Sequence, residues 1–406
     1  MKQYKAPYVF ILTEPAWAFY AVWSQTYFSL YMIGLGIPKA EIGILFALFG
    51  IIQAISALFG GYSADRFGRK RTLMTGDFFS WVFTIGLWAF SHNLSLFLLG
   101  ALINNATWIV QPSWNALFIE ETPPHDRKRL YSLIQLVIVG CGMAAPLLGF
   151  MVASLGLMPA SSLFLKFSFF TIAISWTLRL LFARDSSPRP GDRGYVPHLG
   201  FKLEGFRQAG RELLKPQILG IYLLGFLMLW RQALQNAYFP LYVLSSRGLG
   251  LPASTLSISP FLMTLANLLV IFFFLPRIGN NERLGLKIAL VLVFTAQLGY
   301  LFVPAHAIYL LYLFWFVGNM GQTLFMPLQA ALWMNGLPDR MRANILAIGS
   351  SFSLVLTTPV LYLASFVYPY SPHLFLIYYL LPSLVSLLFL LPRKKGIDHS
   401  IDPPLG

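Results

Sequence analysis

The chain is a succession of apolar runs, each about as long as a lipid bilayer is thick, joined by short polar turns. Twelve such runs fall at about 7–33, 40–62, 72–91, 94–119, 130–155, 161–183, 216–244, 253–276, 285–303, 307–334, 342–368 and 372–392. A hydrocarbon core about 30 Å thick is crossed by roughly 20 residues of α-helix, so each run is predicted to be a membrane span. This is the pattern of an all-α membrane protein with twelve transmembrane helices. Only 11% of residues are charged and 57% are hydrophobic, against about 25% charged in soluble domains. The net charge of +14 does not imply a nucleic-acid partner, because the bases lie between apolar runs and not on a soluble face.

Base placement predicts orientation. With the N-terminus inside, Lys2, Lys5, Arg66, Arg69, Lys70, Arg71, Arg127, Lys128 and Arg129 fall on the cytoplasmic side. So does a central group that includes Arg179, Arg184 and Lys215, and so do Arg277, Arg283 and Lys287. Only Lys39, Lys166 and Arg247 fall outside, and Arg231 lies within the membrane. The asymmetry predicts a multi-pass protein of the plasma membrane with both termini cytoplasmic. The basic start, Met1 to Pro7, leads into an apolar stretch too long for a signal-peptide core, and reads as a retained first helix. The lone cysteine, Cys141, excludes an internal disulfide framework and a thiolate metal cluster.

The longest polar interval divides the chain into a six-span half over 1–183, a linker over 184–215 and a second six-span half over 216–406. The linker begins rich in Pro, Gly and Arg. It then places Leu203, Phe206, Leu213 and Leu214 on one side and Lys202, Arg207, Arg211 and Lys215 largely on the other, a pattern that suits a helix lying on the membrane surface. The halves repeat. Tyr27-Phe28-Ser29-Leu30-Tyr31 matches Tyr238-Phe239-Pro240-Leu241-Tyr242, each followed by a Gly-aliphatic-Pro step at Gly36 to Pro38 and Gly250 to Pro252. Asp126-Arg127-Lys128-Arg129 matches Asp339-Arg340-Met341-Arg342. Three motifs repeated in the same order point to duplication. The third is the turn after span 2, whose worn copy is Glu282-Arg283-Leu284-Gly285-Leu286-Lys287.

That turn, Gly61-Tyr62-Ser63-Ala64-Asp65-Arg66-Phe67-Gly68-Arg69-Lys70-Arg71-Thr72-Leu73, resembles the G-x-x-[AS]-D-[RK]-x-G-R-[KR] signature between helices 2 and 3 of the major facilitator superfamily of secondary transporters. The resemblance implies two six-helix bundles rocking about a midplane site, with spans 1, 4, 7 and 10 lining the cavity. It further implies that Gly61, Asp65, Arg66, Gly68, Arg69 and Lys70 form a cytoplasmic latch. Asp65→Asn is then expected to lower transport without preventing insertion, and wild-type flux in that variant would remove the latch. Span 5 carries Gly142-Met143-Ala144-Ala145-Pro146-Leu147-Leu148-Gly149, which resembles the Gly-Pro motif of drug and proton antiporters. It departs from that motif at Ala145 and Phe150. Span 4 also lacks the Arg usual in that branch, so proton coupling by that route is not expected.

A charge at mid-bilayer costs at least about 2.5–3.5 kcal/mol, so each one calls for a partner or a wet cavity. Two stand out: Glu14, roughly 10 Å into span 1, and Arg231, near the middle of span 7. Glu14 is either a structural tie near the inner interface or the carboxylate through which a proton is coupled. Asp77 is the second candidate carboxylate and is expected to join the network of the charged turn. Helical spacing sets Asn104, Trp108, Gln111 and Asn115 on one face of span 4, and Arg231, Gln235, Tyr238 and Tyr242 on one face of span 7. Glu14 and Gln25 share a face of span 1, and span 10 adds Asn319 and Gln322. These residues are candidates for a substrate and proton pathway, although amides also serve to bond helix to helix. All six histidines, His92, His125, His198, His306, His373 and His399, fall in loops or tails, which argues against a histidine relay.

The expected function is secondary transport of a small molecule by alternating access, with proton-coupled export of an amphipathic compound first. Import of an anionic metabolite is the alternative if Arg231 contacts substrate, and a transport-inactive receptor or scaffold is the third. No paired carboxylates, nucleophile with base, or metal-ligand cluster marks an enzyme. No cofactor is expected, and a monomer in the bilayer is.

Overall fold

The computed structural model describes residues 5–120, 124–183, 203–278, 281–337 and 342–389. Among them every regular element is helical. Ten helices are long and apolar enough to cross a membrane. Span 1 (Lys5–Gly34) and span 4, assembled from Leu94–Asn105, a tight turn at Ala106–Ile109 and Gln111–Glu120, complete the twelve.

Two compact units result. The first comprises Met1–Pro38 and Leu45–Lys202, and the second Lys39–Ile44 and Leu203–Gly406. In the first, span 1 packs on spans 5 and 6, and span 3 packs on spans 4 and 6. In the second, span 7 packs on spans 11 and 12, and span 9 packs on spans 10 and 12. The same neighbours recur six spans later, as the sequence repeat predicts. The repeat is also visible in the backbone. Gly36 and Gly250 both have positive φ, at 96° and 63°, which glycine adopts without a Cβ clash. Pro38 and Pro252 then stand extended at the starts of spans 2 and 8. The copies differ where Pro240 replaces Ser29: span 1 runs through, whereas span 7 breaks at Tyr238 between Pro216–Ala237 and Phe239–Leu244, because proline removes a backbone donor and crowds the preceding turn.

The charged turn proves shorter than its composition implies. The helix of span 2 runs through Phe67 and that of span 3 starts at Arg69, so the reversal is made by Gly68 alone, at φ 88°. Thr72 Oγ1 donates to Ser63 O at 2.9 Å and ties the two arms. Span 5 breaks after Gly142 and resumes at Ala145, with Pro146 in the first turn of the new helix, as its motif predicts.

The first part of the linker, 184–202, and the second copy of the basic motif at 338–341 lie outside the described residues. The linker helix, Leu203–Leu213, buries Leu213 among Ile218, Tyr222, Leu337 and Ile345. Leu214, expected on the same apolar side, is exposed. The helix ends at Leu213, so Leu214 falls in the turn that follows and leaves the buried face.

Candidate functional site

The first unit buries an arginine where the sequence reading placed a cytoplasmic one. Span 6 (Leu157–Phe182) hides Ser161, Leu165, Ser168, Ile172, Ser175 and Arg179 along one stripe, and Arg179 is its last member. Its guanidinium NH2 donates to Glu14 Oε2 at 2.8 Å, and NH1 stands 3.8 Å from Asp77 Oδ2. Nε donates to Thr13 Oγ1 at 2.8 Å. Trp17 covers the guanidinium, 3.8 Å from its ring centroid, and Phe10 stands 5.0 Å away. Spans 1, 3 and 6 thus converge on one cation shared by two carboxylates. The side chains of Arg179 and Asp77 are 2% and 5% exposed and that of Glu14 is 16% exposed, so Glu14 is the member in touch with the outside of the protein.

Two corrections follow. Arg179 is not a topology-setting base but a buried partner, and Asp77 pairs with it and not with the charged turn. Span 3 prepares this geometry. A π-helical stretch, Phe78–Phe83, follows Asp77 directly and disrupts the regular carbonyl ladder. Asn104 Nδ2 supplies a donor to Ser80 O at 2.7 Å, and Ser80 Oγ donates to Ile103 O at 3.3 Å. Asn104 therefore ties span 4 to span 3.

The second unit buries Arg231, 5% exposed, in different company. NH1 donates to Gln235 Oε1 at 2.7 Å and meets Tyr379 Oη at 3.2 Å, while NH2 donates to Gln322 Oε1 at 2.5 Å. Tyr379 Oη also donates to Gln235 Oε1 at 3.2 Å. Nε has no hydrogen-bond partner, and neither does Asn319 Nδ2 one turn before Gln322. Among the described residues no carboxylate forms an ion pair with Arg231. Spans 7, 10 and 12 therefore hold a cation with neutral oxygens only.

Of the remaining candidates, Gln25 and Gln111 are exposed and Trp108 is 39% exposed. The single face predicted for span 4 is interrupted by the tight turn at Ala106–Ile109, where the rotation per residue is no longer that of an α-helix. Arg66 donates to Tyr62 Oη one turn back and lies against the Tyr62 and Phe67 rings. The side chain of Asp65, and Gly61, lie outside what the structure describes. Thr13, Arg179 and Tyr379 were absent from the site residues expected from sequence, and Asp77 was expected there only as the second candidate carboxylate. The 161–179 stripe was the signal that marks Arg179, since its spacing continues an otherwise small and apolar buried face.

No group of three or more His, Cys, Asp or Glu side chains among the described residues has the placement of a metal site. A sequence model of the Major Facilitator Superfamily matches residues 16–359. The chain belongs to the major facilitator superfamily. Among solved structures, the POT family transporter PepTSo aligns with TM-score 0.72 at 15% identity, over 96% of this chain and 98% of that one. The nucleoside transporter NupG aligns with TM-score 0.65 at 15% identity, over 96% and 98%. At such identities the likeness establishes the fold. The quinolone resistance protein NorA of Staphylococcus aureus (strain MRSA252) is 27% identical over 112 residues. The match spans 27% of this chain and only 28% of the length of that curated relative.

Proposed function

We propose that the protein is a proton-coupled secondary transporter in which Glu14, Asp77 and Arg179 form the proton-handling site. The observation that carries this reading is charge arithmetic: two carboxylates share one guanidinium among buried side chains. With both carboxylates ionised the cluster holds a net charge of −1, and binding one proton makes it neutral. A neutral cluster costs far less to keep out of water than a charged one, so a proton gained or lost changes the free energy of whatever rearrangement alters its exposure. Glu14, the partly exposed member, is the point of exchange. Arg179 holds both acids in place, and Trp17 and Phe10 keep water from its face.

The direction we favour is export of an amphipathic compound from the cell, with the protein monomeric in the plasma membrane and both termini cytoplasmic. The local similarity to a quinolone resistance protein favours export, since removing a drug from the cell is one way to resist it, and the aromatic side chains beside the polar clusters suit an amphipathic solute. A second reading, transport of an anionic solute, is favoured by Arg231, whose charge meets no carboxylate. A solute carboxylate or phosphate would supply the missing counter-charge, with Gln235, Gln322 and Tyr379 orienting it.

The test is proton movement by purified protein in lightly buffered detergent as amphipathic cations and organic anions are added in turn. Wild type is expected to release or take up protons with a transported compound, and Glu14→Gln is expected to abolish the signal. Binding without proton movement in either protein would overturn the coupling role of the cluster. A proton signal that survives in Glu14→Gln and disappears in Asp77→Asn would transfer that role to Asp77.

A further inference from the structure

Spans 3 and 6 present their other faces to a cavity of about 540 Å³ lined by Lys70, Arg71, Met74, Thr75, Phe78, Trp176 and Leu180. The arrangement is amphipathic from end to end. Two cations, Lys70 and Arg71, stand at the mouth, where span 3 leaves the charged turn. Met74, Phe78 and Trp176 form the walls further along, and Leu180, two residues before the end of span 6, flanks the mouth. Between Arg71 and Phe78 the helix rises roughly 10 Å, enough to cross the polar layer of one leaflet, about 5–8 Å thick, and reach the acyl chains. The wall is fixed in place: Trp176 Nε1 donates to Met74 O at 2.8 Å, and its ring meets that of Phe78 at 5.3 Å. With that donor occupied, Trp176 offers the cavity an apolar surface.

We propose that this groove is a binding site for an anionic glycerophospholipid drawn from the leaflet that the basic turn faces. The phosphate sits between Lys70 and Arg71, the Thr75 hydroxyl lies within the glycerol region, and one acyl chain passes Leu180 and follows Met74, Trp176 and Phe78. Charge complementarity selects the headgroup. Each base near an anionic bilayer surface strengthens binding roughly fivefold, and the apolar walls distinguish a lipid from a free anion. The groove backs onto the buried cluster. Asp77 and Phe78 are adjacent in sequence, as are Arg179 and Leu180, and in each pair one residue faces the ion cluster while the other faces the groove. A lipid seated here thus fills the gap between the two helices that hold Asp77 against Arg179.

The test is native mass spectrometry of the full-length protein in detergent, titrated with dioleoyl phosphatidylglycerol or dioleoyl phosphatidylcholine. This measurement requires neither transport nor a defined orientation in a membrane, so its outcome is separate from that of the proton experiment. Wild type is expected to retain one phosphatidylglycerol in preference to phosphatidylcholine. Retention should fall roughly thirtyfold in Lys70→Gln/Arg71→Gln, in line with the loss of two surface bases. Thr75→Trp, which fills the groove and keeps both bases, should lose retention as well. Arg277→Gln/Lys287→Gln, an equal charge change in the other unit, should not. Equal retention of the two lipids, full retention in Thr75→Trp, or an equal loss in the Arg277/Lys287 variant would overturn the site. So would complete displacement by millimolar inorganic phosphate, which would assign the bases to a soluble anion.

Discussion

Among the described residues each unit buries one arginine, and the two are neutralised in opposite ways. Arg179 has two carboxylates, a hydroxyl and an aromatic face around it, so its site carries more negative than positive charge. Arg231 has two amide oxygens and a phenol, and one of its N–H groups is unmatched. The repeat sharpens the contrast, because its register aligns Arg231 with Tyr20. At Tyr20 the first unit packs the rings of Trp23, Trp81 and Trp88. Duplicated halves have thus placed their charged groups at different heights on different helices. A cation with surplus acid is suited to exchanging protons, and a cation with none is suited to accepting an anion.

The sharpest way to break this comparison is to delete each arginine in turn. Arg179→Leu strands two acids side by side in a buried site, and breaking a buried pair costs about 3–5 kcal/mol. Folded yield and the thermal midpoint in detergent should fall steeply. Arg231→Leu removes a charge that no carboxylate balances, so its stability loss should be smaller, about 1–2 kcal/mol for the released hydrogen bonds, while transport of an anionic solute is lost. Equal destabilisation by the two substitutions, measured by thermal unfolding, would remove the distinction. The smallest effect is expected from Gln235→Glu, which gives Arg231 the acid it lacks. A charge-assisted bond in place of a neutral one adds about 1 kcal/mol, so the midpoint should rise by a few degrees as affinity for anionic solutes declines. A lowered midpoint would mean that Arg231 is already satisfied.

The twelve spans and their duplication were legible because bilayer thickness imposes a length on every helix and because Gly36 and Gly250 repeat a backbone need as well as a letter. The site was legible in part. Glu14 and Arg231 announced themselves as charges deep within apolar runs, and the one-turn spacing of Arg231 and Gln235 put them on one face, where the structure joins them. Arg179 did not, because it lies in the last turn of span 6, next to a basic linker, where an arginine ordinarily meets water. Asp77 was drawn to the wrong partner for the same reason: distance along the chain put it near four bases, whereas the fold turned it toward span 6. Span 4 misled because helical spacing was carried through a turn that is not α-helical.

Arg231 lies about fifteen residues into span 7, roughly 22 Å along the helix. A fixed charge at that depth, with no carboxylate partner among the described residues, stands within the electric field across the membrane. That field is worth about 2.3 kcal/mol per elementary charge for each 100 mV across the full thickness. Any motion that moves Arg231 along the membrane normal is therefore driven or opposed by voltage. The Glu14–Asp77–Arg179 cluster with one proton bound is neutral and carries no net charge through the same field. The electrical cost of the transport cycle then rests on whether a solute anion travels with Arg231.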